Sequence, residues 1–433
     1  MPTLSEDLAF RGLISQMTEP RDELIRRLDQ GGLTVYIGFD PTADSLHLGS
    51  LLQQVTLRRF QLAGHRPISL AGGGTGLIGD PGGKSDERNL LTKEVLEEYL
   101  VGIRAQLATI LDLEPAPGAD FDTSALLLNN AEWLGNISAI DFMRDVGKHF
   151  TVNQMIAKES VRSRIERPEQ GISYTEFSYM LLQAYDYLHL HRAHGCDLQI
   201  GGSDQWGNIT MGIDLIRRVC ADEVFGLTTP LLLKPDGTKY GKSESGTLWL
   251  DPTRTSPFAL YQHLFNSEDA AVGELLRYYT FLDQAEIEAL DVETGERPHQ
   301  RAAQRALARA VVALVHGEAE VAKCEEAAAA LFSEEITSLS EEMLLAVTED
   351  APTTDIARSE IEVGVSLIEA LERTGLVASR SEARRAIEGG GANVNNVRQN
   401  DIERVLKLDD LLHGRYLVLR KGRQDVHVIR AIT

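Results

Sequence analysis

The sequence predicts an α/β fold organised on a doubly wound, mostly parallel sheet, followed by a helical region and a small basic module. Three observations carry that reading. Over the first half of the chain, short apolar runs with strand periodicity alternate with longer segments of helical periodicity, the pattern that builds parallel sheets. Glycine-rich turns sit at the strand-to-helix junctions, as in residues 72–83 and 201–207. From Thr253 to Phe332 the helical pattern continues, and the composition then changes.

With 433 residues, 43% apolar and 25% charged, the chain has an ordinary globular composition and room for two or three domains. A net charge of −22 argues against indiscriminate nucleic-acid binding, which relies on Lys and Arg neutralising phosphates. It leaves a local basic module open. Cys196, Cys220 and Cys324 are odd in number and widely spaced, which fits neither a disulfide framework nor a zinc-ligand pattern. No long uncharged apolar run suggests a membrane span, and the amino terminus carries Glu6 and Asp7 rather than a basic segment. A cytoplasmic enzyme without a membrane partner is the expectation.

Met1 to Gln30 reads as helical, stopped by Gly31-Gly32. Leu33 to Phe39 alternates Val35, Ile37 and Phe39 against Thr34, Tyr36 and Gly38, a strand pattern. After it, Leu48, Leu51, Leu52 and Val55 recur at helical spacing, with Asp44 or Ser45 as the N-cap. His47 and Gly49 then fall in the first turn, where free N–H groups and the helix dipole favour a phosphate. An ordinary strand-to-helix turn is the competing reading. Pro67 to Ala71 is a second strand, running into a glycine-rich loop that carries Lys84 and Arg88. A nucleoside-triphosphatase loop ending at Gly83-Lys84-Ser85 would need glycine where Ile78 stands. Such a loop either brings its cations to an anion or is plain solvated surface.

Thr92 to Leu111 is helical, and Ala125 to Leu128 is a strand whose polar carboxyl end, Asn129 to Trp133, lies where open α/β sheets bind ligands. Tyr174 to Leu190 is a long helix placing Tyr179, Gln183 and Asp186 on one face, while Tyr185 and Tyr187 read as core. Asp197 to Ile200 repeats the opening design of strand, glycine turn, acid and helix. Asp204 there either accepts ribose hydroxyls or caps the helix. Phe225 to Leu233 leads to Lys239 and Lys242, whose spacing suits a polyphosphate or a solvated loop. Ser333 to Gly364 reads as a connector. The final segment from Val365 carries a net +3 against −25 for the remainder, a basic module suited to RNA or simply a solvated face. Arg380, Arg384 and Arg385 lie there on a helical pattern.

Two segments in order complete a more specific pattern. His47-Leu48-Gly49-Ser50 resembles the His-Ile-Gly-His signature of class I aminoacyl-tRNA synthetases, and Lys239-Tyr240-Gly241-Lys242-Ser243 resembles their Lys-Met-Ser-Lys-Ser signature. The runs Tyr36 to Thr42, Thr75 to Pro81 and Gln199 to Asn208 look like the bacterial tyrosyl-tRNA synthetase family in particular. Val365 to Asn395 is similar to the ribosomal-S4-like RNA-binding module that ends those enzymes.

The resemblance implies a Rossmann-like catalytic domain over 1–228, a mobile lysine loop over 229–250, an α-helical domain over 251–332, a linker over 333–364 and a small α+β S4-like domain over 365–433. It implies ATP-dependent activation of L-tyrosine to tyrosyl-adenylate with release of pyrophosphate, then transfer to the 3′ end of tRNA(Tyr). ATP would come with Mg2+; no prosthetic group and no resident metal site are implied, and a homodimer is. Thr42 and His47 would contact the polyphosphate, and Lys84, Arg88, Lys239 and Lys242 would close over it. Gly49, Ser50, Gly202, Asp204, Lys242 and Ser243 would hold ATP. Tyr36 and Asp186 would face the phenol, Asp80, Tyr179 and Gln183 the ammonium group, and Asp40 and Gln205 the carboxylate. Arg380, Arg384 and Arg385 would meet tRNA. One departure is Ser50, where the signature usually has His. A tryptophanyl-type synthetase and a catalytically silent RNA-binding paralogue are the alternatives.

Overall fold

A computed structural model describes residues 2–41, 43–79, 92–114, 121–158, 161–162, 165, 171–232, 242–243, 246–330, 334–348, 351–422 and 425–432. Thr42, Asp80, Lys84, Arg88 and Lys239 lie outside these residues. The chain divides into two compact units, residues 1–255 with 264–315, and residues 256–263 with 316–433.

The first unit begins with α1 (Leu4–Phe10), β1 (Gln16–Met17) and α2 (Arg21–Gln30). The expected continuous helix is thus broken: Gly12 takes φ +70, and β1 pairs antiparallel with the last strand of the sheet. Next come β2 (Thr34–Phe39), α3 (Leu48–Leu62), β3 (Arg66–Ala71), α4 (Lys93–Ile110) and β4 (Leu126–Asn129). Then follow α5 (Ala131–Leu134), α6 (Ala139–Asp145), α7 (Val152–Ile156), α8 (Tyr174–His194), β5 (Cys196–Gly202), α9 (Trp206–Cys220) and β6 (Phe225–Thr229). Among the described residues the sheet has the order β1-β6-β5-β2-β3-β4 and is parallel apart from β1. From β2 the chain winds outward through β3 and β4, then returns to β5 on the other side. The crevice between the carboxyl ends of β2 and β5 is therefore the switch point where such sheets bind ligands.

α3 is held firmly at both ends. Its N-cap is His47, with extended backbone and a ring Nδ1 that accepts the Ser50 N–H at 3.2 Å. Asp44 and Ser45 are used elsewhere: Asp44 pairs with Arg254 at 2.6 Å, and the Ser45 hydroxyl donates to the Leu46 carbonyl and accepts from the Asp251 N–H. The Tyr279 hydroxyl donates to the Leu48 carbonyl at 2.9 Å. Further along α3, buried Arg59 joins Arg11 in donating to carbonyls at the end of α10 (Asp269–Tyr279) and just beyond it, including those of Arg277 and Thr280. Burial pushes the Arg59 guanidinium down to about 9, Arg11 adding to the effect and Asp7 opposing it. A buried charge survives only when it is paired and hydrogen-bonded, and here Asp7 pairs with both guanidinium groups while the backbone carbonyls take their remaining terminal donors; Arg59 Nε has no partner among the described residues.

In the second unit, the stretch expected as a linker carries structure. A helix spans Glu341–Val347, β7 is Thr353–Ala357, and a further helix spans Arg358–Val363. β7 pairs in parallel with the final strand, Asp425–Ile432, and Ile356 and Ile361 belong to the C-terminal core. Its acidic and small residues lie between well-spaced apolar ones, so the overall composition hid a strand at the edge of the sheet.

Candidate active site

A cavity of about 300 Å3 opens at the β2/β5 switch point. Tyr36, Asp40, His47, Gly49, Ser50, Tyr179, Gln183, Asp186, Gly202, Asp204 and Gln205 all line it. Those residues are spread over 170 positions of sequence, and the sheet brings them together because each lies on β2, β5 or α8 or at a carboxyl-end turn.

The closed end is polar and dry. Asp186 is 2% exposed; its Oδ2 accepts from Asn130 Nδ2 at 2.9 Å and its Oδ1 from Trp133 Nε1 at 2.7 Å. Burial pushes the carboxyl up to about 7, the two donors pull it down, and Asp40 adds a smaller upward push. Asn130 also donates to Thr75 Oγ1 at 3.0 Å and accepts the Gly74 N–H at 2.7 Å. Thr75 and Tyr179 in turn donate to the two oxygens of Asp40, at 2.9 and 2.8 Å. A Cβ on Gly72 would strike this carboxylate and Thr75. The result is one chain of hydrogen bonds from Tyr179 through Asp40, Thr75 and Asn130 to Asp186.

Among the described residues, two buried polar atoms on the same wall have no partner, the Tyr36 hydroxyl and Gln199 Oε1. They belong to cross-strand neighbours of β2 and β5, and an unmade hydrogen bond at a buried group costs about 1–3 kcal/mol. Burial, then the charge of Asp186, raises the Tyr36 phenol well above its usual range. It is therefore a neutral hydroxyl, able both to donate and to accept. Behind it Tyr187 packs at 5.3 Å and donates to the Phe225 carbonyl at 2.7 Å, as core.

The mouth is different. His47, Gly49 and Ser50 are half-buried and Asp204 is exposed. Because the Ser50 N–H can only donate, His47 Nδ1 is the acceptor and the ring proton of the neutral form sits on Nε2. The Ser50 hydroxyl lies 3.4 Å from the same Nδ1. A Cβ on Gly49 would lie 3.0 Å from His47 Cε1, so a larger residue there would press the ring aside by a few tenths of an ångström. α9 has Gln205 as its N-cap with no side-chain cap bond, which leaves Asp204 out of the capping role. Asn208 donates to the amide oxygens of both Gln183 and Gln205, at 2.9 and 3.2 Å.

The segment after the second lysine signature returns to the first signature. Lys242–Ser243 pairs as a hairpin with Gly246–Thr247. The Leu48 N–H then donates to the Leu248 carbonyl at 3.0 Å, and the Leu250 N–H to that of Leu46 at 2.8 Å. His47 thereby bridges Trp249. Arg380, Arg384 and Arg385 are exposed on a helix (Arg380–Glu388) of the second unit, whose Ala383 and Ile387 face the core; Arg380 pairs with Glu372 at 3.0 Å. Sequence reading missed Thr75, Asn130, Trp133, Gln199 and Asn208. The polar end of β4 was the signal for Asn130 and Trp133, but it gave them no target.

Both the sequence and the fold have counterparts among known proteins. Residues 28–333 match the family described as tRNA synthetases class I (W and Y), and the chain belongs to that family. Residues 343–429 match the tyrosine–tRNA ligase SYY-like C-terminal domain. The tyrosine–tRNA ligase of Roseiflexus castenholzii is 54% identical over all of both chains. That of Thermobifida fusca is 51% identical over 98% of this chain and 99% of its own. Among solved structures, a C-terminally truncated mitochondrial tyrosyl-tRNA synthetase of Aspergillus nidulans superposes with a TM-score of 0.69 at 31% identity, covering 77% of this chain and 95% of that one. Within the family, the chain groups with the tyrosine–tRNA ligases.

Proposed function

We propose that this cavity activates tyrosine at its closed end with ATP at its mouth, and that the ligase activity of the family is carried out there. Tyrosine carboxylate attacks the α-phosphorus of ATP, pyrophosphate leaves, and the tyrosyl group then passes from the adenylate to the 3′ end of tRNA(Tyr). The observation that carries the amino-acid half is the orphaned Tyr36 hydroxyl beside Asp186. A phenol entering the cavity would donate to Asp186 and satisfy Tyr36; phenylalanine would leave both without that partner. An indole N–H donates but cannot accept, so it could not take a hydrogen bond from Tyr36, which supports tyrosine over tryptophan.

Tyr179, Asp40, Gln183 and Gln205 would orient the ammonium and carboxylate groups, with Asp80 joining them. His47 Nε2–H would donate to the phosphate oxygens as charge grows on the departing pyrophosphate, a contact stronger in the transition state than before it. Gly202 and Asp204 would hold the ribose, and Gly49 and Ser50 would lie against the nucleotide. Thr42, Lys84, Arg88, Lys239, Lys242 and Ser243 would complete the phosphate shell. Magnesium would enter as part of the nucleotide substrate. No covalent enzyme intermediate is needed, so the work of the chain is positioning and electrostatics.

We assign tRNA contact to Arg380, Arg384 and Arg385 on the C-terminal domain, and the division of the chain into catalytic, lysine-loop, helical and RNA-binding parts follows the same reading. A homodimer is supported by exposed apolar side chains on α6 and α7, Ile140, Met143, Val152 and Ile156, which light scattering would read directly. No described helix is long and apolar enough to cross a membrane, and we place the enzyme in the cytoplasm with its substrates. The test is tyrosine-dependent ATP–pyrophosphate exchange followed by tRNA charging. Exchange with tyrosine and not tryptophan is expected. Glu in place of Arg380, Arg384 and Arg385 together should cut charging at least tenfold while exchange stays within about twofold, since phosphate contacts act on tRNA alone.

A further inference from the structure

At the opposite end of the sheet from the cavity, His191, Cys220 and Asp222 converge. His191 lies in the last turn of α8, Cys220 ends α9, and Ala221, at φ +59, turns the chain so that Asp222 folds back toward them. One imidazole nitrogen, the thiol Sγ and a carboxylate oxygen all lie within 4.8 Å of one another. His191 Nδ1 faces two oxygens, the Cys196 carbonyl at 3.1 Å and Asp197 Oδ1 at 3.4 Å, so it bears a proton. Nε2 faces a third oxygen, Asp222 Oδ2, at 3.0 Å. In a neutral ring two lone pairs would meet there. The contact needs a positive centre between them, either a second ring proton or a cation.

We propose that this cluster is a divalent transition-metal site, taking Zn2+ through His191 Nε2, Cys220 Sγ and Asp222, with water as the fourth ligand. Borderline-soft zinc suits a nitrogen, sulfur and oxygen donor set, whereas magnesium and calcium do not take thiolate. Tetrahedral bonds of about 2.0 Å to nitrogen and 2.3 Å to sulfur require edges of roughly 3.3–3.6 Å between ligand atoms. The His191–Asp222 edge, at 3.0 Å, is already close to that, and the thiol, within 4.8 Å of both, has to approach by up to about 1.5 Å. The second shell is in place: a ligating histidine commonly gives its other N–H to a carbonyl or carboxylate, and Arg27 holds Asp197 at 2.6 Å. Metal binding replaces the thiol proton, so affinity falls as pH falls.

The metal would tie the ends of α8 and α9, leaving the chemistry alone. Along α8, His191 lies five residues, about 7.5 Å of helix axis, beyond Asp186 at the closed end of the cavity. α8 carries Tyr179, Gln183 and Asp186, so the bound metal would steady the recognition helix from its far end.

The experiment titrates the full-length, chelator-treated enzyme with Co2+ and then Zn2+. The expected result is one metal per chain, a near-ultraviolet thiolate-to-cobalt charge-transfer band that Zn2+ abolishes, and a rise in Tm with Zn2+. Cys220→Ser should lose the band, and Asp222→Asn, at a side chain 57% exposed and safe for folding, should weaken affinity at least tenfold. Exchange activity of the metal-free enzyme should stay within about twofold. No saturable binding by the wild type would overturn the site in favour of a protonated His191 bridging its carboxylates. A band that survives in Cys220→Ser would overturn it as well.

Discussion

The two ends of the active-site cavity are built on opposite plans. At the closed end, proposed for tyrosine, one hydrogen-bond network runs from Tyr179 to Asp186, Asp186 and Tyr36 are 2% and 1% exposed, and the Tyr36 hydroxyl has no partner among the described residues. At the nucleotide end the groups are half-buried or exposed, and the histidine is oriented by a helix cap. The contrast teaches what each substrate demands. Telling a phenol from a phenyl ring requires a desolvated acceptor whose loss of a partner is costly. Holding a polyphosphate requires access and donors that strengthen as charge shifts, and these work at a half-open surface.

The largest effect should come from the buried end. Asp186→Ala removes the acceptor for Asn130, Trp133 and the substrate phenol, and should lower kcat/KM for tyrosine by about 3–5 kcal/mol, some 10²- to several 10³-fold. Steady-state exchange at varied tyrosine measures it. A loss confined to kcat would break the comparison, because a recognition residue must act on binding as well. His47→Ala comes next, with kcat for exchange falling about 10²-fold and KM for tyrosine nearly unchanged. A rise in that KM instead would mean that the two ends are one coupled unit.

A pH series sharpens the same contrast. Asp186 titrates near 7 in the free protein, above the ordinary carboxylate range, so its raised value favours the folded state at low pH and that contribution is lost as pH rises toward 7. Tyrosine binds best to the ionised acceptor, and its KM should rise by several-fold between pH 7.5 and 6. KM for ATP measured in the same buffers should not follow it. Tyr36→Phe should cost less, about 0.5–1.5 kcal/mol or two- to tenfold in kcat/KM, because a neutral hydrogen bond is weaker than one to a charge. The smallest effect belongs to Ser50→His, which should leave exchange within about threefold, since His47 Nδ1 accepts the backbone N–H of residue 50 whatever its side chain.

Much of this was legible before any coordinates. Strand and helix periodicity located β2, α3, β4, α8 and β5, because a half-buried element writes its burial into alternate or every third and fourth residue. The carboxyl-end turns followed from that order, and the family from the resemblance of the segments around His47 and Lys239 to the two class I signatures. Where the reading failed, the deciding forces were not local. Residues 333–364 look like a connector by composition, yet Thr353–Ala357 pairs with a strand some seventy residues later. No periodicity announces a pairing partner at that distance. Asp44 and Ser45 are better caps than His47 by propensity, but Arg254 and Asp251 claim them.

The sequence by itself determined the fold class, through local periodicity and the order of its elements, and the family, through the resemblance of its two signatures. Only the tertiary structure decided that Asn130 and Trp133 hold Asp186, that the lysine hairpin returns to His47, and that His191, Cys220 and Asp222 form a cluster. Each of these is a contact between segments far apart in sequence, made by residues that are ordinary in their own segments. Burial and partner geometry set their chemistry, and both exist only once the chain has folded.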